Sequence, residues 1–251
     1  MNGREATKTG VNLLRTRDFG LLWSGQAISQ VGDGLNKVAL LWFVYTLTGS
    51  ALKMTVVGLL QTLPPLLLGP VIGVYLDRLP KKSVMIWVDA ARTILVLLIP
   101  GLHAFDALTL ERLYALVFLF SVVSTVFGPA LSSAVPLIVD RSQLTAANAL
   151  LQSTTNIGLL LGPAVSGIGI ALIGAQNVLY FDSATFLIST LCLIPIRMRG
   201  PACEEDPSAS HGKFLQDVLV GFRFVFVQQQ TVLKLMLTST LFSLGASAFV
   251  F

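Results

Sequence analysis

Two pairs of oppositely charged residues lie within long apolar runs of this chain, where ionisable side chains are rare and expensive. Asp33 and Lys37 are four residues apart, so they share one face of a helix and can form an ion pair. Asp33 is then a candidate proton carrier or a ligand for a cationic substrate, with Lys37 adjusting its affinity. The alternative is a self-neutralising pair buried between helices. Gly32 and Gly34 flank Asp33, and we expect them to loosen the helix there, which favours a functional role.

The second pair, Asp89 and Arg92, is three residues apart. We expect a structural ion pair, with binding of a proton or substrate as the alternative. Asp182 is predicted to be an interfacial cap or a helix contact. Amide side chains in the first apolar run are either polar cavity groups or ordinary interhelical hydrogen-bond partners: Gln26, Gln30 and Asn36.

A short charged hinge separates two apolar runs between residues 73 and 82. Its marked residues are Gly73, Asp77, Arg78, Lys81 and Lys82. An aspartate and three cations in so short a segment predict that the chain leaves an apolar solvent here and turns back at once.

Composition identifies that solvent as a membrane. Hydrophobic residues make up 54% of the 251 residues, and charged residues make up only 12%. A soluble domain carries roughly a quarter charged residues. The apolar runs reach about twenty residues or more, the length that a helix needs to cross a bilayer. The fold class is therefore an all-α, polytopic membrane protein. The predicted spans are residues 18–47, 52–76, 83–102, 111–137, 143–173, 177–196 and 232–251.

The cations indicate how this protein faces the membrane, because cytoplasmic loops carry an excess of Lys and Arg. With the amino terminus inside, the inner segments hold twelve cations and the outer loops hold only Lys53 and Arg112. We therefore expect a multi-pass protein of the cell membrane with a cytoplasmic amino terminus. Contact with anionic lipid accounts for the net charge of +4, and no nucleic-acid partner is needed.

Four segments follow from these patterns. Residues 1–17 are a cytoplasmic tail, 18–196 a bundle of six spans, 197–231 a cytoplasmic linker with an interfacial helix, and 232–251 a seventh span. The alternative for the linker helix is that it packs against protein and not on the membrane surface. No metal-ligand spacing, cofactor motif or pairing of nucleophile with base is visible, so we expect neither an enzyme nor a metal site.

An internal repeat is visible at an offset of 93 residues. The segment 66–70, Leu-Leu-Leu-Gly-Pro, recurs as residues 159–163, and the same offset carries Asp89 onto Asp182. The Gly-Pro pair lies toward the inner end of the second span and toward the outer end of the fifth. An inverted three-plus-three repeat produces that arrangement.

The hinge resembles the signature of major facilitator superfamily transporters, which is Gly, three residues, Asp, a cation, two residues and two cations. The matching positions are Gly73, Asp77, Arg78, Lys81 and Lys82, although Pro80 stands where the family usually has glycine. The segment 158–167 resembles the fifth-helix motif of the exporting, proton-exchanging branch. It matches at Gly158, Gly162, Pro163 and Gly167, and Ser166 departs from it.

Further stretches are similar to the secretion-effector branch, which includes siderophore exporters and macrolide efflux proteins. They lie at residues 17–19, 48–51, 89–92, 128–130 and 147–150. The resemblance implies twelve helices in two bundles, of which this chain holds the first bundle, the linker and the seventh helix. We therefore expect a fragment or a truncated product that lacks the carboxy-terminal bundle as its partner.

The resemblance also implies a function. It implies a secondary exporter, driven by the proton gradient, that carries an amphipathic small molecule such as a drug, macrolide or siderophore by alternating access. The hinge would act as a latch between the bundles, with Asp140 as the expected partner of Arg78, Lys81 and Lys82. The fifth-helix glycines would permit close helix packing and Pro163 a bend. An importer, and a non-transporting fragment that acts only with a partner half, are the alternatives.

Overall fold

The computed structural model of the chain describes residues 13–76, 79–199 and Thr238. The chain divides into two compact units, Met1–Ala202 and Cys203–Phe251, and only the first is described in detail. Its long α-helices, numbered here in chain order, are α1 (Arg17–Thr48), α2 (Ala51–Leu76), α3 (Lys81–Ala104), α4 (Leu110–Ala134), α5 (Leu144–Ile173) and α6 (Ala175–Leu193). Two short 3-10 turns, Val135–Leu137 and Arg141–Gln143, lie between α4 and α5. The predicted all-α class is confirmed.

Each of the first six predicted spans coincides with one of these helices, with ends that differ by at most three residues. The seventh predicted span and the linker lie outside the described residues, apart from Thr238. Within the part of the chain that the structure describes, four segments are long and apolar enough to cross a membrane, namely Ala51–Gly69, Lys81–Ala104, Leu110–Leu137 and Arg141–Ile173. Helices α1 and α6 fall short of that hydropathy because they carry the polar side chains of the bundle interior.

Tight connections force neighbouring helices to run antiparallel. Helix α1 ends at Gly49, whose φ of 62° is left-handed and whose N–H bonds the carbonyl oxygen of Tyr45. Gly174, with a φ of 82°, is the single residue between α5 and α6. Only glycine adopts such angles without strain, so both glycines fix a reversal of the chain.

The packing of the helices follows the predicted repeat. Helix α1 packs against α5 and α6, while α4 packs against α2 and α3. Exchanging each helix with the one three places along maps these two sets onto each other, and maps the α3–α6 contact onto itself. Because α1 and α4 run in opposite directions, the two halves are related by an inverted repeat.

Two apolar clusters occupy the two ends of this bundle, and a polar layer separates them. One cluster includes Phe43, Val96 and Leu179, and the other includes Phe19, Met85 and Leu193. The layer between them holds the buried polar side chains Gln26, Ser29, Asn36, Asp89, Arg92, Ser121, Asp182, Thr185 and Ser189. The apolar clusters therefore hold the ends of the helices together, and the polar layer lies at mid-depth.

One end of the bundle gathers basic residues, and we call it the basic end. There α1 begins, α2 meets α3, α4 meets α5, and α6 ends. Hydrogen bonds join these parts: Lys82 Nζ donates to the carbonyl oxygen of Ile194 at 2.7 Å, and the backbone N–H of Arg197 donates to Asp18 Oδ1 at 3.2 Å. At the opposite end the Tyr114 hydroxyl donates to the carbonyl oxygen of Lys53 at 3.3 Å.

Candidate functional site

Asp33 lies at the middle of α1, where three cavities meet. The large cavity, about 530 Å³, lies between α1, α4 and α5 and extends toward the basic end. The small cavity, about 180 Å³, lies between α1, α2 and α4, and a crevice of about 110 Å³ lies between α1 and α5. The Asp33 side chain lines all three, so one carboxyl group is shared by every cavity around the centre of α1.

The large cavity is polar for a site inside a membrane protein. The residues that give it this character are Gln26, Gln30, Asp33, Arg92, Asn148 and Gln152. They come from α1, α3 and α5, while α4 contributes Phe127 and Leu131. Such a mixture of apolar wall and a few polar groups is typical of sites for small molecules.

Asp33 and Lys37 share a face of α1 as predicted, but they do not pair. Both line the small cavity and the crevice, yet no ion pair within 4.0 Å joins them. Among the described residues, Asp33 forms neither a hydrogen bond nor an ion pair, and Lys37 is exposed. The self-neutralising pair expected as the alternative is therefore not present in this conformation.

The glycines beside Asp33 serve packing, and the expectation that they loosen the helix is wrong, because α1 runs unbroken from Arg17 to Thr48. A methyl group at Gly32 would collide with Thr185 Oγ1 and Asp182 Oδ1 of α6. At Gly34 it would lie 2.7 Å from the Cα atom of Gly162 in α5. The glycines let α6 and α5 press against α1 on either side of Asp33.

Asn36 and Asp182 form the contact between α1 and α6 in the polar layer. Asn36 Nδ2 donates to Asp182 Oδ2 at 2.5 Å, and both side chains are buried. Asp182 lies two turns into α6 rather than at its start, so it is a helix contact and not an interfacial cap. Asn36 has both of the roles left open for it, since it is an interhelical hydrogen-bond partner and also lines the small cavity.

Asp89 and Arg92 form the expected ion pair, with Arg92 Nη1 and Asp89 Oδ1 3.4 Å apart, and both side chains are buried. Ser189 of α6 donates to Asp89 Oδ2 at 2.6 Å. Arg92 donates to the Ser124 hydroxyl at 3.0 Å and to the Ser124 carbonyl oxygen at 3.1 Å. Its guanidinium lies over the rings of Phe127 and Phe186, at 4.9 and 5.2 Å from their centroids.

The serines and phenylalanines around the Asp89–Arg92 pair could not be identified from the spacing of residues along the chain. They come from α4 and α6, which are brought to α3 only by the fold. The sole sequence signal is the repeat, which relates Asp89 to the equally buried Asp182.

The fifth-helix motif holds α5 against α1 at two of its glycines. A methyl group at Gly158 would lie 3.0 Å from the carbonyl oxygen of Gln30, and one at Gly162 would lie 2.6 Å from the Cα atom of Gly34. At Gly167 it would meet no atom of the described residues within 4 Å, so the close packing predicted there is not seen within this bundle. Gly167 lies on the exposed side of α5. Pro163 lies inside an unbroken helix and lines the crevice.

Ser166, the departure from the motif, has a role of its own. It is completely buried, and its hydroxyl donates to the carbonyl oxygen of Leu35 at 3.0 Å. A glycine at this position would forgo that bond between α5 and α1. The departure from the motif therefore indicates a hydrogen bond between α5 and α1.

The charged hinge makes different contacts from those expected. Lys81 Nζ donates to the carbonyl oxygen of Leu76, and Lys82 Nζ donates to that of Ile194 at 2.7 Å. These carbonyls end α2 and α6, where unpaired acceptors and the helix dipole attract cations. Gly73 lies within α2, whereas Asp77 and Arg78 lie outside the described residues.

Asp140 is not the partner of Lys81 or Lys82, which corrects the prediction. It accepts a hydrogen bond from Arg199 Nη1 at 2.6 Å, and this bond raises the pKa of the Arg199 guanidinium above its usual value. The backbone explains the choice, because the N–H of Arg199 donates to the carbonyl oxygen of Leu137 at 3.0 Å. That bond brings Arg199 beside the turn that carries Asp140.

A bundle of apolar helices with an inverted repeat and a cavity around a central carboxyl group defines a polytopic membrane protein of the transporter type. The family model for transmembrane secretion effectors matches residues 8–251. The chain therefore belongs to the transmembrane secretion effector family of the major facilitator superfamily, as the motifs predicted. This family consists of transporters rather than enzymes.

Several curated relatives are efflux proteins. Macrolide efflux protein A of Streptococcus pyogenes is 26% identical over 228 residues, which cover 89% of this chain and 55% of that protein. Multidrug efflux pump Tap of Mycolicibacterium fortuitum is 28% identical over 200 residues, which cover 78% of this chain and 49% of the pump. The chain spans about half the length of the curated relatives it matches.

Proposed function

We propose that the full-length protein carrying this sequence is a secondary exporter of amphipathic small molecules, driven by exchange with protons. The carriers named for macrolide and multidrug efflux support this class of cargo. The sequence provides six helices of the fold, so a second six-helix bundle would complete the central cavity. Alternating access would then arise from rocking of the two bundles.

The observation that carries this proposal is the position of Asp33. A carboxyl group at mid-depth, with no described hydrogen bond or ion pair, is free to take up a proton or a cation. It borders the large cavity that extends to the basic end and the small cavity between α1, α2 and α4. Competition of proton and cationic cargo for one carboxylate would couple their movements in opposite directions.

Lys37 would modulate this competition. Its ammonium group shares the small cavity and the crevice with Asp33 without pairing to it. A nearby positive charge interacts with the carboxylate, so Lys37 would adjust its affinity for the cargo. Arg92 lines the large cavity together with Asp33 and would act on the same carboxyl group, while Asp89 would hold Arg92 in place.

We further propose that the basic end faces the cytoplasm of a cell whose plasma membrane holds the protein. Lys81, Lys82, Arg141 and Arg199 all lie at that end, in agreement with the bias of cytoplasmic loops. The hinge between α2 and α3 would act as half of a latch between the bundles, through Asp77 and Arg78. Its lysines already bind the ends of α2 and α6.

Uptake into everted vesicles tests the exporter directly. Vesicles containing the full-length protein should accumulate the lipophilic cation ethidium when a proton gradient is imposed, and a protonophore should abolish the accumulation. Asp33→Asn should reduce the rate of accumulation at least about tenfold, because an amide cannot take up and release the proton that the Asp33 carboxyl group would exchange. Asp140→Asn is the matched control, since that carboxylate is exposed and far from the cavities.

Three outcomes would count against the proposal. Accumulation that persists with the protonophore contradicts proton coupling. Transport in the opposite direction under the same gradient indicates an importer. A folded protein that moves no ethidium at all favours the non-transporting alternative.

A further inference from the structure

Gln26 carries a side-chain amide that has no partner. The residue is only 3% exposed, and its Nε2 atom is buried without an acceptor among the described residues. A buried donor of this kind costs free energy until an acceptor satisfies it. Gln26 also lines the large cavity together with Asp33.

Two other amides nearby donate hydrogen bonds to protein acceptors. Asn36 Nδ2 binds Asp182, and Gln152 Nε2 donates to Asn156 Oδ1 at 3.1 Å along α5. Gln152 lines the same large cavity as Gln26. Gln30 and Asn148 also line this cavity without a described hydrogen bond, but Gln26 is the amide there whose unpaired donor is buried.

A second amide repeats the feature. Gln61 Nε2 of α2 is also buried without an acceptor, and Gln61 lines the small cavity beside Asp33. The large cavity and the small cavity thus each combine the same carboxyl group with one buried, unpaired amide donor. A carboxylate binds a cation and an amide N–H binds an acceptor, so either cavity suits a molecule that carries both groups.

The spacing along α1 sets a distance. Gln26 and Asp33 are seven residues apart, which is two helical turns and about 10 Å of rise. Both line one cavity, so a single molecule of small-drug size can reach both. The apolar surfaces of Phe127 and Leu131 lie beside it.

We propose that Gln26 is a cargo-recognition residue, whose side chain turns into the large cavity and donates a hydrogen bond to a neutral acceptor oxygen lying about 10 Å from a basic nitrogen bound at Asp33. This inference rests on the proposed function and narrows it. The preferred cargo class is a basic amine that also bears a carbonyl, ether or hydroxyl oxygen at that distance. A simple hydrophobic amine fits the carboxylate but leaves the amide unsatisfied.

Two probes separate these cases. One is a dimethylaminoalkyl naphthyl ketone with its carbonyl oxygen about 10 Å from the nitrogen, and the other is the matching compound with a methylene in place of the ketone. Their naphthyl fluorescence reports binding to the purified full-length protein in detergent. We expect wild type to bind the ketone about tenfold more tightly, because the methylene compound leaves a buried donor unpaired.

Gln26→Leu should remove this preference. Affinity for the ketone should fall about tenfold, to that of the methylene compound, while affinity for the methylene compound changes less than about twofold. Gln152→Leu is the matched control, because it removes an amide from the same cavity whose donor is already bonded, and it should keep the preference. Gln26→Met is a second apolar variant that preserves side-chain length if the leucine variant folds poorly.

The outcomes distinguish the two proposals. Equal affinity of wild type for both probes, or an equal loss for both in Gln26→Leu, overturns the role of Gln26. If Asp33→Asn still weakens the binding of both probes in that case, the proposed function stands. Wild-type protein that binds neither probe contradicts both proposals.

Discussion

The two acid–base pairs of the polar layer look alike in sequence and differ completely in their surroundings. Asp89 and Arg92 are buried and bonded to Ser189 and Ser124. Asp33 and Lys37 have the better spacing for a helical pair, yet they remain apart and face cavities. The difference lies in the neighbouring helices and not in the pairs themselves.

This contrast shows that the neighbouring helices decide whether a charged side chain has a structural role or is available for function. Helix α6 supplies a hydrogen-bond donor to Asp89, α4 supplies two acceptors to Arg92, and each helix places an aromatic ring beside the guanidinium. Around Asp33, α5 contributes backbone contacts of its glycines and α6 contributes the side chains of Thr185 and Asp182, and none of them bonds the carboxyl group. A carboxyl group that forms no hydrogen bond or ion pair at mid-depth is available to a proton or to cargo.

The largest expected effect is the loss of Arg92. Arg92→Ala should lower the free energy of unfolding by about 3–5 kcal/mol, since Asp89 is then buried without its cation. Lys37→Ala should change it by no more than about 0.5 kcal/mol, because Lys37 is exposed and unpaired. Denaturation in mixed detergent micelles measures both. Similar losses in the two variants would erase the distinction between the pairs.

The next effect concerns the packing that keeps Asp33 unbonded. Gly162→Ala should cost about 2 kcal/mol of unfolding free energy, because the added methyl group would overlap the backbone of α1 at Gly34. The repeat offers a matched control in Gly69→Ala, where the methyl group meets no atom within 4 Å. That control should be neutral or slightly stabilising. The same titration decides, and equal costs would show that the α1–α5 contact is not tight.

A smaller effect is expected at Asp33 itself. Asp33→Asn should change the free energy of unfolding by no more than about 0.5 kcal/mol, because no described bond is lost. Thermal unfolding of the purified variant checks this value. A loss above about 1 kcal/mol would mean that Asp33 is structural, like Asp89, and would remove the contrast.

The smallest effect is expected at the exposed pair of the basic end. Asp140→Asn should leave the unfolding temperature unchanged within error, because solvent screens the bond to Arg199. The raised pKa of Arg199 adds no pH dependence in the neutral range, since its contribution is lost only as pH rises through the guanidinium pKa. A clear loss of stability, or one that vanishes in high salt, would assign Asp140 a larger role.

Sequence alone predicted the helices well because each depends on local information. Apolar runs of membrane length, the hinge before Lys81 and the left-handed Gly49 fix where α1, α2 and α3 begin or end. The inverted repeat was also visible, in the two Leu-Leu-Leu-Gly-Pro segments. These features need no knowledge of which helices touch.

The site was predicted less well because its contacts join distant helices. The sequence places Asp33 and Lys37 on one face but cannot show that α5 and α6 leave them unpaired. Asp140 was assigned to the hinge cations because it lies on an inner loop, whereas the backbone bond of Arg199 to Leu137 determines its partner. Gly167 matched a motif, yet its surroundings are open.

Proton release on cargo binding tests the central claim, that Asp33 exchanges a proton for a cation. Ethidium is added to the purified full-length protein in weakly buffered solution, and a pH-sensitive dye reports the protons released. Wild type and Asp140→Asn should each release about one proton per ethidium bound, as linkage between the two ligands requires. Asp33→Asn should release none. Release by Asp33→Asn equal to that of wild type would contradict the account.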